Sequence, residues 1–269
     1  MTTSSGNDVV LVDMADRIAT ITLNRPEARN ALSSEVSRNL RIAMKVCDAN
    51  ADVDVVILTG SDPAFSAGLD LKELGSTGAN LGTRTEADAQ SPTEVRVIEP
   101  WDAMTKPVIG AINGVAITGG FELALQCDFR IASERARFGD THTRVGVLPG
   151  WGLSVWLPLY IGWARAVEMS LTGNFMEADE ALRRGLVNHV VPHAELLPYC
   201  RKLATDIINN DQAGVRELLG SYKAIRGVDV NCGLVHEAAV GRDWSKRTFS
   251  PEAVEARRQA IMSRGRSML

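Results

Sequence analysis

Nothing in this sequence points to cysteine chemistry. The four thiols, Cys47, Cys127, Cys200 and Cys232, form no CxxC pair and no tight cluster. That excludes a zinc ribbon or a disulfide-stapled miniature and leaves reduced core cysteines as the expectation. Long apolar runs are also missing, since no stretch approaches the ~20 residues that span a bilayer. The polar start, Met1 to Asp8, lacks the basic-then-apolar pattern of a secretory leader. Positive charge is not in excess: 29 Lys and Arg face 33 Asp and Glu, for a formal net charge of −4. A nucleic-acid partner would call for a clustered basic face. No unit recurs at a fixed period, which excludes solenoids and propellers. The remaining class is a cytoplasmic enzyme, with no membrane and no nucleic acid among its partners.

What is present is an ordinary globular composition, 45% hydrophobic over 269 residues. A chain of that length buries roughly 70–75% of its unfolded surface. Val9–Asp13 and Arg17–Leu23 read as two strands around a turn at Ala15–Asp16. Ser33 then reads as an N-cap, because Val36, Leu40, Ala43, Met44 and Cys47 follow at helical spacing. Val53–Leu58 is a β-branched run of the kind found in covered sheets. Val108–Ile112, Phe129–Ala132 and Leu186–Val191 are further strand candidates, with an apolar helix from Gly119 to about Cys127. Strands alternating with helices imply an α/β fold. Ser76–Gln90 reads as a surface loop. Beyond Pro192 the pattern is helical, over about 193–210, 212–226, 232–247 and 251–264. The expected division is an α/β unit over 1–192 and a helical region over 193–269.

Three segments carry chemistry. Ala64-Phe65-Ser66-Ala67-Gly68-Leu69-Asp70 leaves a strand, crosses small residues and enters a helix. Small side chains let a ligand approach the backbone, and a helix start leaves N–H groups unpaired. Asn113 to Glu122 repeats the arrangement through Gly119-Gly120 and adds a carboxylate in the first helical turn. A solvated acid at a helix start is the bland alternative for Glu122. Leu123, Ala124 and Leu125 make this helix apolar, and a buried carboxylate needs a partner or a task. Phe138 to Gly152 is a Gly- and Pro-punctuated loop that holds His142. Alone, His142 would read as a surface histidine.

Together these segments resemble the crotonase, or enoyl-CoA hydratase/isomerase, family. The likeness runs from Leu23-Asn24-Arg25-Pro26 through both glycine-bearing blocks to Leu171-Thr172-Gly173 and Ala178–Val187. It implies a crotonase-like spiral of ββα units with a helical C-terminal region. It implies assembly as a homotrimer or a dimer of trimers. The substrate would be an acyl-CoA thioester, with coenzyme A part of the substrate and no separate cofactor or metal. By motif position, the amides of Ala67 and Gly119 would form an oxyanion hole for the thioester oxygen. Arg25, Arg29, Ala64, Ala67, Asp70 and Leu71 would contact the CoA portion. Family hydratases use two carboxylates, at the positions of Glu122 and His142, so the histidine is a departure. The reaction implied is hydration of a 2-enoyl-CoA to a 3-hydroxyacyl-CoA by a hydro-lyase, with Glu122 as base and His142 as proton donor. The alternatives are isomerisation, decarboxylation or thioester hydrolysis through the same enolate, or an inactive acyl-CoA-binding protein. A serine hydrolase is disfavoured because no GxSxG elbow occurs. His189 and His193 straddle Pro192 and do not share a helix face; they are assigned no metal.

Overall fold

The computed structural model of the chain describes residues 8–77, 99–223 and scattered helical positions between 231 and 262. Residues 78–90 of the expected surface loop and most of the last two expected helices lie outside the described residues.

Two sheets form the core. The larger has six strands in the order β1-β2-β3-β5-β7-β10. These are Val10–Ala15, Ile18–Leu23, Val55–Gly60, Val108–Ile112, Phe129–Ser133 and His189–Val191. Only the β1–β2 hairpin is antiparallel. The smaller sheet, β4-β6-β8-β9, comprises Ala64–Ser66, Val115–Ile117, Arg137–Gly139 and Phe175–Glu177. Each strand of the pairs β3–β4, β5–β6 and β7–β8 lies in a different sheet, and helical structure follows each pair. The result is the expected spiral of ββα units. The three-residue strands of the small sheet escaped the sequence reading, since three residues show no period.

Period-two alternation divides the large sheet's side chains between two cores. Ala19, Ile21, Leu23, Val56 and Leu58 face inward, where the helix Ser34–Ala49 presents Val36, Leu40, Ala43, Met44 and Cys47. That is the stripe expected from spacing, and Ser33 caps the helix by accepting from Val36 N. Ile18, Val55, Ile57, Ile109, Ala111 and Ile131 face the other way and are covered by Leu196, Cys200 and Ala204 of the helix Leu196–Ile208. The chain beyond Pro192 therefore begins by sealing the α/β sheet. Among the described residues no helix is long and apolar enough to cross a membrane.

One side chain joins the loops that lead to the site. Arg29 and Asn30 both adopt left-handed backbone (φ 51° and 56°), turning the chain back after β2. Asn30, fully buried, donates to Ser61 O and Ala64 O at 2.7 Å each and accepts from Arg25 N at 2.8 Å. Its own carbonyl accepts from Ser66 Oγ at 2.8 Å. Asn30→Ala would take this partner from Ser61 O and Arg25 N, each costing about 1–3 kcal/mol, and leave Ala64 O with Asn113 alone. Urea unfolding is expected to show a loss of at least about 2 kcal/mol, where a surface Asn→Ala change falls within about 0.5.

Candidate active site

The Ala64–Asp70 segment runs beside the Asn30 turn as an added ladder. Leu32 N donates to Gly68 O at 2.7 Å and Asp70 N to Leu32 O at 3.1 Å, a parallel bridge between Leu32 and Leu69. In such a bridge the amide of the middle residue, Leu69, points away from its partner. Gly68 takes φ 82°, and a Cβ there would fall 2.4 Å from Ile117 O and 3.3 Å from Gly119 N. Only glycine allows that approach.

The second block forms on the far side of this contact. Thr118 sits at φ 54°, ψ −117°, a conformation that side chains disfavour by about 1–3 kcal/mol. It is held by Thr118 N to Gly139 O at 2.9 Å, by its hydroxyl against that of Thr141 at 2.6 Å, and by Glu122 N to Thr118 O at 3.0 Å. This turn starts the helix Gly119–Gln126 abruptly, so the first amide, Gly119, has no carbonyl a turn earlier to bond.

Ala67 corrects one expectation. Its N–H donates to Arg29 O at 2.9 Å and is not available to a ligand. The amides of Leu69 and Gly119, on either side of the Gly68 contact, donate to no partner among the described residues. Of the two expected donors, the Gly119 amide is unpaired and that of Ala67 is committed; the unpaired amide in the first segment lies two residues on, at Leu69. The signal was present in the alternation of a bridging strand, but the bridge itself was not legible.

Glu122 and His142 come together. Glu122 is 3% exposed, and its Oε1 accepts from Trp151 N at 2.8 Å and Gly150 N at 3.3 Å. Its Oε2 lies 3.6 Å from His142 Nε2. His142, 2% exposed, opens the short helix His142–Val145 and presents Nδ1 to Asp140 Oδ1 at 2.6 Å. Asp140, which the sequence reading passed over, also accepts from His142 N at 3.1 Å. Both ring nitrogens thus face carboxylates, which only the doubly protonated ring can satisfy. Burial alone would drive the ring toward neutrality, but the Asp140 bond and then Glu122 outweigh it and push His142 up to about 10. Burial likewise raises Asp140, and the His142 and Ser170 hydrogen bonds more than offset it, holding the carboxyl below its ordinary value.

Beside the two free amides lies a cavity of about 450 Å³. It is lined by Glu27, Ala28, Arg29, Ala67, Leu69, Leu71 and Met262 together with Val115, Ile117, Thr118, Thr141, Arg144, Val145 and Phe175. Of the residues expected to contact CoA, Arg29, Ala67 and Leu71 line this cavity, whereas Arg25, Ala64 and Asp70 do not. Arg25 Nη1 instead clamps Ala31 O and Asp70 Oδ2, both at 2.9 Å. Asp70 Oδ1 caps the helix Leu71–Thr77 through Lys72 N and Glu73 N. Ala64 is fully buried, its carbonyl taken by Asn30 and Asn113. These three hold the loop together from within. His193 is also structural, bridging Ser133 and Asp62 at 3.0 Å each.

A ββα spiral with two unpaired amides and a buried carboxylate–histidine pair is the architecture to set against known enzyme families. The sequence profile of the enoyl-CoA hydratase/isomerase family matches residues 13–246. A probable peroxisomal enoyl-CoA hydratase 1 of Arabidopsis thaliana is 42% identical over 213 residues, 79% of this chain and 77% of that protein. A crotonyl-CoA hydratase of Syntrophomonas wolfei is 38% identical over 77% of this chain and 78% of its own. The crystal structure of enoyl-CoA hydratase from Mycobacterium tuberculosis H37Rv superposes with a TM-score of 0.79 at 49% identity, covering 89% and 98% of the two chains. The chain belongs to the enoyl-CoA hydratase/isomerase family.

A folded-state value for His142 above its unfolded one ties stability to pH in one direction. The contribution is complete below pH 6.5, the ring's ordinary value, and is lost as pH rises toward about 10. Wild type is therefore expected to lose urea resistance between pH 7 and 10 faster than His142→Gln. Parallel profiles would mean that the ring is not held charged.

Proposed function

We propose that this chain is a hydro-lyase that adds water across the C2–C3 double bond of a 2-enoyl-CoA, giving the 3-hydroxyacyl-CoA. The single observation that carries the reading is the Glu122–His142 pair, 3.6 Å apart and buried, with Glu122 in the first turn of the helix that opens at the unpaired Gly119 amide. The substrate needs its thioester oxygen held while charge collects there as an enolate. The amides of Leu69 and Gly119 are the donors for that oxygen, and each such preorganised donor contributes about 3 kcal/mol to the barrier.

Glu122 acts as base. It takes a proton from water as the oxygen bonds to C3, and the electrons of the double bond move toward the thioester oxygen. His142, charged at neutral pH, gives its Nε2 proton to C2 as the carbonyl reforms. Glu122 Oε2 then returns the water's proton to Nε2 across the same gap. Atoms balance: one water enters, its hydroxyl at C3, with one proton at C2. Isomerisation would need a single group shuttling one proton between carbons. Two groups with separate hydrogen-bond partners favour hydration.

The cavity wall from Arg29 through Ala67 to Leu71 is the proposed seat of the CoA portion, and this scheme uses no other cofactor. We further propose that the chain works as a trimer or a dimer of trimers. Leu159, Trp163 and Leu171 stand exposed on the two helices after the site, Leu153–Ile161 and Trp163–Thr172, which supports a face buried against another copy. A cytoplasmic location is part of the reading, supported by three described cysteines that are buried and unpaired.

Glu122→Gln and His142→Ala are each expected to lower kcat on a 2-enoyl-CoA by roughly 10²–10⁴-fold. Product mass spectrometry over a panel of enoyl-, malonyl-type and hydroxyacyl-CoA thioesters reads the bond change. A decrease below about tenfold for both variants would remove these roles, and a mass-neutral product would assign isomerisation.

A further inference from the structure

The hydration scheme leaves one buried ionisable group beside the site without a task. Asp140 is 1% exposed and lies on the turn after β8. Its Oδ1 is taken up by a single residue, accepting from His142 N at 3.1 Å and meeting His142 Nδ1 at 2.6 Å. The Ser170 hydroxyl, on the helix Trp163–Thr172, bonds to the same carboxylate. Among the described residues no lysine or arginine pairs with it. A carboxylate this deep without a cation on it is costly, unless the imidazole is that cation.

The geometry points to Asp140 as a positioning residue for the proton transfer: it fixes the His142 ring with Nε2 toward the reacting carbon and keeps the ring charged between turnovers. The inference rests on the reading of His142 as donor. The ionisable groups against the ring are Asp140 on its own turn and Glu122 on the helix Gly119–Gln126. Ser170 is neutral, and Arg144, two residues on, turns toward Thr172 O and the Phe175 ring. Two carboxylates at opposite nitrogens leave the ring one orientation. When the Nε2–H bond breaks toward C2, its electron pair stays on nitrogen. The neutral ring is then held as the Nδ1–H tautomer by Asp140, which keeps its own charge throughout. Nε2 is therefore the only position that can take the proton back from Glu122. Without Asp140 the ring could rest neutral, with the proton on either nitrogen and nothing to give.

Asp140→Asn tests this, since an amide oxygen can still accept from Nδ1–H but carries no charge. The measurements are kcat against pH with a 2-enoyl-CoA and the His142 ring titration by NMR. Asp140→Asn is expected to lower kcat at pH 7 at least about tenfold, leave KM within about threefold, and move the alkaline limb down by about two pH units. Ser170→Ala should move the limb in the same direction by less. An unmoved limb in Asp140→Asn, or a kcat within about twofold of wild type, overturns the inference. If that variant does not fold, the wild-type ring decides. Protonation persisting past pH 9 supports the inference, and titration near 6.5, the ordinary value, overturns it. His142→Ala separates the two claims. Activity surviving in it removes the donor reading itself, while activity lost in it but intact in Asp140→Asn removes only the role of Asp140.

Discussion

Two stretches of backbone, 66–69 and 117–120, touch with no side chain between them, and the site exists because of that contact. A Cβ on Gly68 would lie 2.4 Å from Ile117 O, and one on Gly120 would lie 2.4 Å from Ser66 O. Neither can be relieved by moving a flexible tip, because backbone is what each would strike. The approach brings the ends of β4 and β6, successive turns of the spiral, side by side, with an unpaired amide on each loop. Asn30 supports the contact from behind, tying Ser61, Ala64 and Ser66 to its own turn. The strained Thr118 completes it by starting a helix with no preceding turn to absorb its first amide. In the proposed hydration, backbone is the electrophilic half of the site, and rigidity there is a property of the fold.

Side-chain periodicity made much of this legible before any coordinates. The stripe Val36 to Cys47, the Ser33 cap and the strand Val108–Ile112 are where spacing puts them, since each obeys a local rule that burial only strengthens. What escaped was non-local. The small sheet is built of three-residue strands that pair across turns of the spiral, and nothing within three residues signals a partner fifty positions away. The same limitation moved the first amide donor from Ala67 to Leu69. Both lie in one short motif, and only the bridge from Leu32 shows which N–H is already committed. Arg25 and Asp70 read as CoA contacts by resemblance, yet in the structure they pair with one another. Glu122 and His142 were recognisable from resemblance and residue chemistry, whereas Asp140 was not. Its meaning depends on a ring orientation that sequence does not carry.

The departure at position 142 has a compensating partner two residues earlier. In a site with two carboxylates, one proton shared between them relieves their repulsion and leaves a single net negative charge. Here Glu122, the imidazolium of His142 and Asp140 also sum to a single net negative charge, with the cation standing between the acids. An imidazole placed alone in that pocket would be pushed neutral by burial, with nothing to donate, and Asp140 prevents that outcome. The pairing is also asymmetric. Asp140 sits at 2.6 Å from Nδ1, a committed charge-assisted bond, while Glu122 stands off at 3.6 Å from Nε2. The loose side is where a proton can leave and return, and the tight side is where none needs to move. On the proposed roles, chemistry suited to two acids runs on an acid and a histidine, with a third group on the far ring nitrogen keeping the histidine charged.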